Sequence, residues 1–91
     1  MDNNIDLLSS EEVREHLVLM KLHELRDYYR NGWVPDWKDD NYKYVIIHFN
    51  GSFIVSETVF SRKFLSFQSN EVAKEFLTNF SKLMEQAGDL I

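Results

Sequence analysis

This sequence predicts an α+β domain, two helices packed on a three-stranded antiparallel β-meander in the order α-β-β-β-α. Three observations predict it. Val18, Leu22, Leu25 and Tyr29 recur at helical spacing, and so do Val72, Phe76, Phe80, Leu83, Met84 and Ala87. Between them, YKYVIIHFNGSFIVSE (42–57) sets β-branched and aromatic runs around Asn50-Gly51, the pair that supplies the positive φ angles of a type I′ turn. KFLSFQS (63–69) then reads as a short third strand, and adjacent strands with short connections form an antiparallel sheet.

The first helix has a marked start. Ser9 and Glu12 have capping-box spacing, and Leu8 and Val13 flank that box as a hydrophobic staple. Leu17 and Tyr28 widen its apolar stripe. Asn31-Gly32 closes it, because glycine takes the left-handed conformation after a helix without steric cost. Trp33 is then expected to fold back onto Tyr28 and to be largely buried against this helix. Pro35 forces Val34 to be extended and opens a turn at Pro35-Asp36, while Lys38 to Asn41 is a polar connector. The spacing does not decide whether Trp37 points inward.

A two-residue turn sets Phe49 opposite Ser52 and Ile47 opposite Ile54. One sheet face then carries Val45, Ile47, Phe49 and Ile54; the other carries Tyr42, Tyr44, Ile46, His48, Phe53 and Val55. Neither face is plainly polar. In the third strand Leu65 and Phe67 share one side and Phe64 takes the other. Ser69 or Asn70 caps the second helix, and Gly88 stops it.

Ninety-one residues make one domain, 1–91, with 1–8 expected as a flexible N-terminal segment. Seven Phe, four Tyr and two Trp in a chain that is 44% hydrophobic are the composition of a packed core. Cysteine is absent, which removes disulfides, thiol nucleophiles and thiolate metal sites and suits a reducing compartment. No apolar run approaches a membrane-spanning length, and the acidic start MDNNIDLLSS lacks the basic region of a signal peptide. A cytoplasmic protein without a membrane partner is expected. The net charge of −5 repels phosphate backbones, and Arg62-Lys63 is the only adjacent basic pair, so nucleic acid is disfavoured as a partner.

Enzyme signatures are missing. Three glycines provide neither a phosphate-cradling loop nor a G-x-S-x-G elbow. HELRD (23–27) starts like a zincin helix motif but has Asp27 where the second histidine belongs. Glu12, His16, His23 and Asp27 fall along one helix stripe, where nitrogen and oxygen ligands at i, i+4 spacing could hold zinc if another segment closed the site. A solvated helix face is the favoured reading of that stripe. Asp36, Asp39, Asp40 and Asn41 lack the EF-hand order of ligands, glycine and distant glutamate, so a solvated turn is favoured there too. No catalytic residue, metal or cofactor is therefore assigned, and the chain is not expected to be an enzyme.

The sheet aromatics carry the functional expectation. Two helices on one side of an antiparallel sheet leave its second face open. With both faces apolar, a protein partner or a second copy is expected to cover the open one, through Tyr42, Tyr44, His48 and Phe53. The alternative is a single-stranded nucleic-acid binder that stacks bases on Tyr42, Tyr44 and Phe53.

Over residues 10 to 88 the chain also resembles small proteins common in phages and mobile elements of gut Bacteroidales. Their pattern is a helix ending in G-W-x-P-D-W, a β-meander, and a strand L-x-F-x-[ST]-x-E-x-A leading into a C-terminal helix. The matching positions are Gly32, Trp33, Pro35, Asp36, Trp37, Leu65, Phe67, Ser69, Glu71 and Ala73. The resemblance implies a prokaryotic or viral cytoplasmic accessory protein and brings no catalytic residues.

Overall fold

The computed structural model describes residues 10–87 and 91. The capping box at Ser9, the staple at Leu8, the segment 1–8 and the stop at Gly88 lie outside the described residues. Five elements follow the expected order: α1 (Ser10–Arg30), β1 (Lys43–Phe49), β2 (Ser52–Thr58), β3 (Ser66–Phe67) and α2 (Asn70–Ala87). The fold is α+β, two helices and one three-stranded antiparallel sheet.

The hairpin is the one Asn50-Gly51 predicts. Both residues have positive φ, 52° and 79°, as a type I′ turn requires, and Phe49 lies opposite Ser52 with Ile47 opposite Ile54. Pairing continues one to one to Lys43 opposite Thr58, with no bulge.

The strand order corrects the expected meander. β1 is central, in the order β2-β1-β3. Val45 lies opposite Ser66 and Tyr44 opposite Phe67, and the Ile46 amide donates to the Leu65 carbonyl at 2.9 Å. As the chain leaves β2, Thr58 Oγ1 accepts from the amides of Phe60 and Ser61 and turns it. Residues 59–65 then pass to the far edge of β1, about 10 Å across two strand spacings. The reason lies in what each edge offers. α1 packs on β3 and does not reach β2, so only the far edge lets Leu65 and Phe67 bury completely beside α1.

Alternation places Tyr44, Ile46, Phe53, Val55 and Phe67 under the helices, where they join Val18 and Leu22 of α1 and Ala73, Phe76, Met84 and Ala87 of α2. Phe76 is the hub of this core. Its ring lies 4.9 Å from Phe67, 4.9 Å from Phe80 and 5.4 Å, edge-on, from Tyr29. Leu17 and Tyr28 do not widen the α1 stripe; both are exposed. Ser69 caps α2, its Oγ accepting from the Val72 amide at 3.2 Å, and the helix kinks at Phe80 (φ −127°, ψ 17°).

α1 ends in two successive left-handed residues, Asn31 (φ 49°) and Gly32 (φ 92°), and the Trp33 amide donates to the Arg30 carbonyl at 3.0 Å. Trp33 does not fold onto Tyr28 and is half-buried rather than buried. The second left-handed residue redirects the exit, so the indole lies against the Arg30 guanidinium, 5.5 Å from the ring centroid. No heavy atom lies within 4 Å of a Cβ built on Gly32, so only its backbone conformation resists substitution. Gly32→Ala is expected to cost about 1 kcal/mol in urea melts; an unchanged midpoint would show that the left-handed exit does not fix this end of the helix.

Candidate functional site

The partner residues expected from sequence do not share one open surface. Tyr44 and Phe53 are half-buried on the helix side and pack against the core. His48 lies on that side too, exposed at the hairpin end, with its ring 4.9 Å from Phe53. Tyr42 is 61% exposed and precedes β1. Part of the Tyr42, Tyr44 and Phe53 face is expected to stay accessible; Tyr42 does, while Tyr44 and Phe53 are half-buried against the core. The helices pack on this face, because Phe67 of β3 and Leu65 just before it extend that same face toward α1.

The open face is the other one. Along β1 it presents Lys43, Val45, Ile47 and Phe49, and along β2 Ser52, Ile54, Ser56 and Thr58. Its two ends differ. At the hairpin end Phe49 is 56% and Ile54 38% exposed, with Ile47 half-buried between them. At the far end Val45 and Lys43 are each only 2% exposed although no helix lies over them.

At Lys43 the connector 31–42 makes that difference. Asp36 and Asp39 each turn the chain locally, Asp36 Oδ1 accepting from the Lys38 amide and Asp39 Oδ1 from the Asn41 amide, both at 2.9 Å. The turn thus falls over Trp37 to Asp39, slightly later than Pro35-Asp36. It gathers three partners around the Lys43 ammonium: the Asp39 carboxylate, the Asn41 carbonyl at 2.9 Å, and the Trp37 ring with its centroid at 5.3 Å. The hydrogen bond from Lys43 holds the Asp39 carboxyl below the usual carboxylate range. The acidic turn therefore serves a buried lysine.

On the sheet's other edge, Arg26 and Arg30 of α1 take the outward carbonyls of the β3 segment. Arg30 Nε donates to Ser66 O at 2.8 Å and Nη2 to Ser66 Oγ at 2.6 Å. Both arginines also donate to Phe64 O, at 3.2 and 3.3 Å. Burial, and then the charge of Arg26, pull the Arg30 pKa down to about 10, which leaves it cationic at neutral pH. Gln68, just after β3, returns the contact by donating from Nε2 to Tyr29 O at 3.2 Å, satisfying a free carbonyl of the α1 end. Sequence reasoning missed Lys43, Arg26, Arg30 and Gln68. One signal was present: Val18, Leu22, Arg26 and Arg30 form a single i, i+4 row that turns from apolar to cationic, and like charges at that spacing call for a shared acceptor.

The stripe Glu12, His16, His23 and Asp27 does not converge. His16 Nδ1 lies 2.8 Å from the Glu12 carbonyl, Asp27 pairs with Arg26 at 2.8 Å, and the His23 ring stacks on Phe64 at 4.6 Å. No group of three or more His, Cys, Asp or Glu among the described residues could hold a metal ion. No described helix is long and apolar enough to cross a membrane. A groove of about 450 Å³ between the hairpin tip and α2 brings His48 and Glu85 to a shared rim with Phe53 and Leu77. Comparison with known proteins returns no match: no family model, curated protein or solved structure is significantly similar to this chain.

His23 supplies a pH test. Burial against Phe64, followed by the charges of Arg26 and Arg30, lowers its pKa against the opposing pull of Asp27. A lowered folded-state value means the unfolded chain binds the proton more readily, so this contribution to stability is complete above about pH 6.5 and is lost as pH falls through the folded value. Denaturant midpoints should therefore drop between about pH 7.5 and 5, and His23→Phe, which keeps a stacked ring, should show a smaller drop. An equal drop in both proteins would contradict this account of His23.

Proposed function

We propose that this chain is a non-catalytic protein-interaction module that binds its partner through the hairpin end of the open sheet face, Ile47, Phe49 and Ile54. The observation that carries this reading is the exposure of Phe49 (56%) and Ile54 (38%) on neighbouring strands, on a face that the connector covers only at its far end. The hydroxyls of Ser52 and Ser56 are the only polar side chains beside them along these strands, and no charge interrupts the patch. Because the chain as a whole carries a net charge of −5, the partner that fits has an apolar centre and a basic rim. The resemblance to phage and mobile-element proteins supports an accessory role, with a cytoplasmic protein of the host or of the element as the partner. The stacking-platform reading has less support, because Tyr44 and Phe53 are committed to the helix-side core.

Phe49→Asp separates the two sides of the sheet. Its carboxylate stays in water, so the melting curve should shift by less than about 0.5 kcal/mol while partner capture is lost. Phe53→Asp, facing the core, should instead destabilise by roughly 2 kcal/mol or more. Retention of the same partner by wild type and Phe49→Asp would contradict the proposal.

A further inference from the structure

The two edges of the sheet are treated differently. At β3 the outward carbonyls of Phe64 and Ser66 are taken by Arg26 and Arg30. At β2 no described residue pairs with the outer backbone. The direction of those groups follows from the ladder. The Ile46 amide donates to Leu65 across the β3 side, so Ile46 and Val55 form a non-hydrogen-bonded pair, as do His48 with Phe53 and Tyr44 with Glu57. The amides and carbonyls of Phe53, Val55 and Glu57 therefore point away from β1. Natural edges are blunted by lysine, proline, bulges or short length; β2 is seven residues, SFIVSET, without lysine, proline or bulge.

We infer that the outer edge of β2 pairs antiparallel with the same edge of a second copy of this chain, centred on Val55. The register is self-complementary: Val55 faces Val55, Phe53 faces Glu57 and Ile54 faces Ser56, so the single charge of the strand never meets its own copy. Each Glu57 carboxylate comes beside the Phe53–His48 ring pair of the other copy. The assembly also closes. In a six-stranded sheet of order β3-β1-β2-β2-β1-β3 each end is a two-residue β3 held by arginines, and beyond it β1 leaves only the His48 backbone groups open, too short a template for a third copy, so pairing stops at two copies. This edge is distinct from the open face proposed for the partner, and the inference stands or falls independently of it.

Sedimentation equilibrium of the full chain from micromolar to millimolar concentration tests it, with backbone amide exchange over the same range. Wild type should dimerise, and the amides of Phe53, Val55 and Glu57 should gain protection as concentration rises. Val55→Pro removes an N–H that the intramolecular ladder does not use and should weaken the dimer roughly tenfold or more. Phe49→Asp should leave it intact. A wild-type chain that stays monomeric, including one whose β2 edge pairs only with a peptide of another protein, overturns the inference. So does a dimer indifferent to Val55→Pro, or one in which the three amides exchange freely. If Val55→Pro fails to fold, the exchange of the wild-type amides decides alone.

Discussion

The place of β3, and with it the strand order of the sheet, depends on two guanidinium groups holding a strand of two residues. β3 is too short to persist by its own ladder, and its pairing with β1 covers only Tyr44 and Val45. Arg30 supplies from the opposite side the hydrogen bonds that a further strand would have made, and Arg26 shares the Phe64 carbonyl. Charged donors to carbonyl acceptors are the stronger class of hydrogen bond, worth about 1.5–3 kcal/mol each. With β3 held there, Leu65 and Phe67 enter the core, Gln68 reaches the α1 end, and Ser69 starts α2 in place to bring Phe76 onto Phe67. Burying a guanidinium beside a second one is the cost, visible in the lowered Arg30 pKa, which burial causes first and the charge of Arg26 second.

The same clamp explains why the faces differ. Tying β3 to α1 commits the Tyr44–Ile46–Phe53–Val55 face to the helices and leaves the opposite face to the connector. That connector carries two indoles, each against a cation: Trp33 against Arg30 and Trp37 against Lys43. The G-W-V-P-D-W stretch is therefore a strap. It shields the β1 start, where Lys43 lies buried with its charge met by Asp39, and stops short of Phe49 and Ile54. What remains open is apolar and small, at the end of the hairpin away from the strap.

Much of this was legible in the residues. Asn50-Gly51 gave turn and register together because a type I′ turn leaves no freedom in either. A cap at Ser69 or Asn70 was readable, and the α2 core positions from their period, since both are local. The strand order was not readable. A seven-residue link after β2 permits either neighbour, and the choice was made by Arg26 and Arg30, residues that in sequence look like a solvated helix end. Which sheet face the helices cover was not readable for a related reason. Both faces of β1 are apolar, and only β2 distinguishes them, with Ser52, Ser56 and Thr58 on the open side against Phe53 and Val55 on the covered side. Lys43 was unreadable as a core residue, because a buried lysine is identified by partners that only the folded connector assembles.

The clamp is tested most directly at the Ile46 amide, whose acceptor is Leu65 at the entrance to β3. Hydrogen exchange of Arg30→Met should show that amide losing protection well beyond the loss at Ile47, which alternation pairs with β2. Global stability should fall by about 2 to 3 kcal/mol as the carbonyls of β3 lose their donor. Equal protection of Ile46 in both proteins, with stability unchanged, would show that β3 holds its place without the arginines, and the account of how this sheet is ordered would be wrong.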